Sequence, residues 1–197
     1  MKPIDRRTAL KLAAGAPLAI TWSWTACGTA ARNAQRAIAS GEPFTPQFFD
    51  DHQYQTVRVL TDIIIPADDR SGSATDAGVP EFMDFMMIDR PNDQAWMSDW
   101  LTWLDTRSSE SFAVTFVNCT EEQRGQVLDA VAWPDRADAA DSDGVAFFNR
   151  FRDLTASGFW TSRMGIEDLR YIGNTVNPNW NGCPPEALAR LGVSYED

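Results

Sequence analysis

The side chains in this chain that could do chemistry are 28 acids, a single histidine and three cysteines. Paired carboxylates catalyse hydrolysis when a cleft holds one protonated and the other ionised at a set separation. Many such pairs could be nominated here for glycoside hydrolysis, and no spacing in the sequence singles one out. His52 has no companion acid or nucleophile at a recognisable spacing. A packed or capping role is therefore expected for it, and not a place in a catalytic triad. Cys27, Cys119 and Cys183 show no CxxC or Cys/His spacing, so the pattern does not point to a zinc, copper or haem site. Cys119 and Cys183 could pair within the chain, bridge to a second subunit, or stay free and buried. Glycine-rich dinucleotide loops, P-loops, HExxH and GxSxG are all absent from the sequence. No bound cofactor is expected.

One polar stretch concentrates turn-forming and oxygen-bearing residues. It is residues 68–78, Asp-Asp-Arg-Ser-Gly-Ser-Ala-Thr-Asp-Ala-Gly. The alternating acids and closing Glu of a calcium-binding EF-hand loop are missing, so a turn between two helices, with Asp76 capping the second, is the local expectation. Apolar flanks on both sides, Asp-Ile-Ile-Ile-Pro before it and Val-Pro-Glu-Phe-Met-Asp after it, mark the loop as a surface fixed by its neighbours.

The elements that would carry this loop read as helices. Phe48, Phe49, His52, Thr56, Val57, Leu60, Ile63 and Ile64 recur at three- and four-residue spacing, with Thr45-Pro46 as a start and Pro66 as a stop. Residues 80–88 are apolar nearly all round and predict a buried helix. Residues 93–107 set Trp96, Trp100, Trp103 and Leu104 on one face, either for the core or for a partner. Thr120-Glu121-Glu122-Gln123 is a capping box. Residues 135–143 form an acidic, Ala-rich loop without an apolar anchor, expected to be mobile. Residues 144–157 restart a helix that Gly158 is placed to end. Residues 158–192, dense in Gly, Asn, Pro and aromatics, predict an ordered, folded-over tail. No run of alternating strands appears. The prediction is an all-α chain: a single compact multi-helix domain over residues 41–197, preceded by a segment of different character.

That preceding segment, residues 1–40, holds Lys2, Arg6, Arg7, Lys11, Arg32 and Arg36 against one acid, Asp5. Arg6-Arg7 is followed by a mildly apolar run, which has the form of a twin-arginine-type export signal with an exit linker over residues 30–40. Thr25-Ala26-Cys27 places a small residue before a cysteine, so Cys27 is a candidate for lipidation, and an anchored structural lipoprotein is one reading of the chain. No lysine follows Lys11, and the rest of the chain is strongly acidic. Such a surface repels phosphate backbones, which argues against nucleic acid; it reads as an ordinary solvated surface or, more sharply, as one that steers a basic partner.

The export segment, the block Asp-Ile-Ile-Ile-Pro-Ala-Asp-Asp … Asp-Ala-Gly-Val-Pro-Glu-Phe-Met-Asp (residues 62–84), and the tail motifs Gly-Phe-Trp-Thr-Ser-Arg-Met-Gly-Ile and Pro-Asn-Trp-Asn-Gly-Cys-Pro resemble the gluconate 2-dehydrogenase subunit 3 family. The resemblance implies a small, helical, cofactor-free subunit. Its large catalytic partner would hold FAD and resemble the glucose–methanol–choline oxidoreductases, acting on a sugar, glucoside or sugar acid. A cytochrome c would accept the electrons, the twin-arginine machinery would export the complex, and the location would be periplasmic. Asp68, Asp69, Ser71, Asp76, Trp160, Met164, Asn177 and Trp180 are then the expected partner contacts. A stand-alone periplasmic glycoside hydrolase is the competing reading.

Overall fold

A computed structural model describes residues 19–171, 173, 178, 179 and 181–195, with side chains described from Gly28 onward. Arg6, Arg7, Asn177, Trp180 and the side chain of Cys27 lie outside the described residues. The described residues are helical, with no strand among them. Eight α-helices follow in order: α1 (Ala19–Ser40), α2 (Asp51–Ile64), α3 (Val79–Asp89), α4 (Gln94–Phe112), α5 (Glu121–Ala132), α6 (Ser142–Thr161), α7 (Arg163–Asp168) and α8 (Pro185–Leu191).

Helix α3 is the centre. Val79, Pro80, Phe82, Met83, Asp84, Met86 and Met87 are all buried, as its nearly unbroken apolar sequence requires, and only its C-terminal end, at Ile88 and Asp89, is exposed. Helices α1, α2 and α6 pack around it. Gly158 does not end α6, which runs on to Thr161. It lies instead where α6 crosses α3: a Cβ there would stand 2.7 Å from Phe82 Cδ1. The missing side chain lets two helices approach closely, and that packing outweighs the local tendency of glycine to stop a helix.

The tryptophan stripe of α4 faces inward. Trp100 is wholly buried, stacked on Trp103 at 5.4 Å and surrounded by Phe147, Phe148 and Phe151 of α6. Of the two roles open to it, the core role is the observed one. The Thr120 capping box forms as expected: Gln123 N donates to Thr120 Oγ1 and Thr120 N to Gln123 Oε1. The acidic loop 135–143 does have an anchor. Asp141 is buried at the start of α6 and pairs with Arg107 at 3.2 Å.

Two sequence expectations about helix starts give way to tertiary bonds. Helix α2 begins at Asp51 and not at Pro46, with Asp50 as N-cap in a capping box with Gln53. The amides of Gln47, Phe48 and Phe49 do not enter the helix because they donate to the buried Asp84 carboxylate of α3, at 2.9, 2.9 and 3.1 Å. Asp76 does not cap α3. The N-cap is Gly78, in the left-handed region at φ 79°, and Asp76 accepts instead from Ser73 N within the loop.

The segment 30–40, expected as a linker outside the domain, is part of the core. Ala30 and Ala34 are buried where α1 packs on α3, and Gln35 Nε2 donates to Ala77 O at 3.0 Å. Small residues at a four-residue spacing let two helix backbones come close, which a flexible linker would not need.

Candidate functional site

The polar loop is built by its own side chains. Asp68 Oδ1 accepts from Arg70 N and Ser71 N, at 2.9 and 2.8 Å, closing a turn. Those two backbone bonds hold its carboxyl below the usual carboxylate range. Asp62, near the end of α2, accepts from Thr75 N at 2.7 Å, and Ala74 N returns to Ile65 O. The loop is therefore stitched at both ends to the helices that flank it. Its acids other than Asp69 are engaged in the loop's own structure, whereas Asp69 is exposed and takes part in no hydrogen bond or ion pair among the described residues.

The same loop reaches the tail. Arg70 bridges to Asp168 at the end of α7, with Nη2 at 2.6 Å from Oδ1 and 2.7 Å from the backbone carbonyl oxygen. Met164 Cε lies against Gly72, 3.1 Å from where a Cβ would stand. Predicted contacts Asp68, Asp69, Ser71, Asp76 and Met164 thus belong to one assembly of loop and α7. Trp160, in the last turn of α6, stands edge-on to buried Phe159 at 4.9 Å and is itself 39% exposed.

Around these lies apolar surface that sequence reasoning did not single out. Ile166, Leu169 and Tyr171 are exposed, Leu169 by 55% and Tyr171 by 59%. Farther along, α8 buries none of its residues, and Leu191, Val193 and Tyr195 are open. Tyr195 turns back only onto its own tail, where its Oη accepts from Cys183 N at 2.6 Å. Single exposed apolar residues are ordinary, but here several large ones occur in and just after two short helices, close in sequence. Of these residues Ile166 and Leu191 lie within α7 and α8, whereas Leu169, Tyr171, Val193 and Tyr195 follow the helix ends.

Cys119 is buried and Cys183 exposed, and neither is bonded, so the within-chain bridge is not formed. Sequence reasoning also missed the partner of His52. Its Nε2 stands 2.6 Å from Asp105 Oδ2, while Asp105 Oδ1 accepts from Phe116 N. The pair ties α2 to α4, and no hydroxyl or thiol among the described residues is hydrogen-bonded to the ring. A cleft of about 710 Å³ opens between α1, α2 and the 42–46 connection, floored by Phe44 and Tyr54 and rimmed by Arg58, Asp76 and Glu81. Tyr54 Oη donates to Glu81 Oε1 at 2.8 Å, and burial together with that carboxylate raises the phenol well above its ordinary range. A phenol held neutral in this way supplies no base at neutral pH. Among the described residues no group of three or more His, Cys, Asp or Glu could hold a metal ion, and no helix is long and apolar enough to cross a membrane.

Residues 51–178, from the first residue of α2 into the tail, match the family model described as gluconate 2-dehydrogenase subunit 3. The chain belongs to the gluconate 2-dehydrogenase subunit 3 family. No curated protein and no solved structure matches it. As a subunit 3 protein it is a component of a dehydrogenase complex. The matched range takes in the polar loop, α7 and the apolar patch, and leaves out α1 and α8.

Proposed function

We propose that this subunit is a non-catalytic partner of an FAD-dependent dehydrogenase of the glucose–methanol–choline type, which it binds, stabilises and escorts out of the cytoplasm through Arg6 and Arg7. The flavin and the sugar, glucoside or sugar-acid substrate belong to the large subunit, a cytochrome c takes the electrons, and the assembled complex works in the periplasm. The observation that carries the docking part is the exposed apolar run Trp160, Ile166, Leu169 and Tyr171 beside a loop that Arg70 and Met164 hold rigid. A rigid surface loses little freedom on binding, so its apolar area turns into affinity efficiently. Asp69, free of internal bonds, is suited to a basic group on the large subunit, and exposed Cys183 to a disulfide with it.

Co-expression with the flavin subunit tests this. Leu169→Ser with Tyr171→Ser changes side chains that are more than half exposed, so the helical fold and melting temperature should hold. Recovery of the complex should fall by more than about thirtyfold, as loss of an aromatic anchor worth about 2 kcal/mol or more implies. Undiminished complex with both substitutions in place would remove the docking surface. A large subunit exported and active without this chain would remove the proposed function itself.

A further inference from the structure

The segment between the export signal and the domain contains Ala37-Ile38-Ala39 followed by Ser40. Small residues three and one positions before a bond are what a leader peptidase reads, and it reads them on extended chain. On sequence alone the bond after Ala39 is therefore an attractive place to remove a leader, and the domain would then begin at Ser40. The fold opposes this. Residues 37–40 are the last turn of α1, with Gly41 N bonded to Ile38 O and Ser40 Oγ to Ala37 O. Upstream, Gln35 is bonded to Ala77 O, and Ala34 and Ala30 are sealed against α3. Ile38 lies on Gly78, so close that a Cβ on that glycine would collide with Ile38 Cδ1. Downstream, the chain is held at residues 47–49 by Asp84. Extending residues 36–41 would require undocking the end of α1 between two fixed points.

We propose that residues 28–40 remain in the mature protein as a helix docked on α3 through Ala30, Ala34 and Gln35, so that any leader removal falls N-terminal to Gly28 and the Ala37-Ile38-Ala39 site, though its last residues are exposed, is silenced by its helical fold. The proposal rests on the export reading only for the presence of a leader. It gives part of the 62–84 motif an internal role, in which Ala77 and Gly78 receive this chain's own N-terminal helix and not a partner.

The test is the intact mass of the chain purified from its host as the complex. The expected chain retains residues 28–40, whereas a chain beginning at Ser40 would overturn the proposal. In parallel, purified leader peptidase is offered a peptide of residues 33–45 and the folded full chain. The peptide should be cut after Ala39 and the folded chain spared there. Equal cutting of both, or an uncut peptide, would overturn the claim that docking protects the bond. Ala34→Arg, which drives a charge into the α1–α3 contact, should speed that cut by about tenfold or more, since cleavage follows the open population. Because this variant could lose the whole fold, a chain starting at Ser40 is melted beside the full chain. It should melt lower by about 5 °C or more, and equal melting would overturn the proposal. Failure of the export reading shows separately, as full-length chain retained in the cytoplasm.

Discussion

Asp84 carries the most decisive stability prediction. Its carboxylate is wholly buried and accepts the N–H groups of Gln47, Phe48 and Phe49, 35 to 37 residues away. Replacing it with alanine strands all three donors. Phe49 N–H is buried and stays unsatisfied, while Gln47 and Phe48 are partly open, so water recovers some of their loss. With about 1.5–3 kcal/mol for a hydrogen bond to a charged acceptor and partial recovery at two of the three, the total is about 3–5 kcal/mol. At about 2–4 °C per kcal/mol for a chain of this size, Asp84→Ala should lower the melting temperature by about 6–20 °C. Asp84→Asn keeps an oxygen for Phe48 and Phe49 but turns a donor towards Gln47, and should cost about 1–3 kcal/mol. Thermal denaturation followed by circular dichroism gives the ranking, and hydrogen exchange shows whether amides 47–49 lose protection. Asp84→Ala melting within about 2 °C of the unaltered protein, or asparagine more harmful than alanine, would refute the reasoning.

Gly165→Ala places a Cβ against the backbone carbonyl of Phe159 and 3.0 Å from Trp160 Cα. Backbone atoms cannot step aside, so a cost of about 2–3 kcal/mol is expected in thermal melts. The phenol of Tyr54 is raised, so its stabilising effect is complete below the unfolded value of about 10 and is lost as pH climbs towards the folded one. Stability should therefore decline above about pH 10, and Tyr54→Phe should lower the neutral-pH melting temperature while flattening that alkaline decline. Asp69→Lys should leave the melting temperature unchanged but weaken recovery of the complex, whereas Asp68→Ala, which removes the oxygen that accepts from Arg70 and Ser71, should loosen the turn even in the isolated subunit. Asp68 has a depressed value, so its contribution is present above the ordinary carboxylate range and fades as pH falls through it. Equal behaviour of the two variants would contradict the separation of structural from exposed acid.

What could be read from the sequence was whatever a few neighbouring residues decide. Thr120 and Gln123 are three apart, and their capping box forms as expected. The apolar run of α3 has only one way to be satisfied, and it is buried. The misreadings share one cause. Thr45-Pro46 is a sound helix start, but Asp84 claims the following amides from 35 to 37 residues away. Gly158 is a sound helix stop, but Phe82 needs the space it leaves. His52 looked solitary because Asp105 is 53 residues distant. In each case a long-range contact overrode a correct local preference.

The same logic separates the two halves of the loop motif. Asp62, Asp68, Asp76, Gly78 and Asp84 each satisfy a backbone group or admit a helix of this same chain. A residue engaged in this way is fixed by the fold, and only its remaining lone pairs are open to a partner. In the proposed docking, Asp69 at the rim and the apolar side chains of residues 160–171 are groups that carry no such internal role. The motif is best understood as the mounting that keeps the patch in place: Arg70 and Gly72 grip α7 through Asp168 and Met164, and α7 presents Ile166 outward. Substitutions in the mounting should therefore reduce stability and assembly together, while substitutions in the patch should reduce assembly alone, and this difference distinguishes a docking surface from a merely well-folded loop.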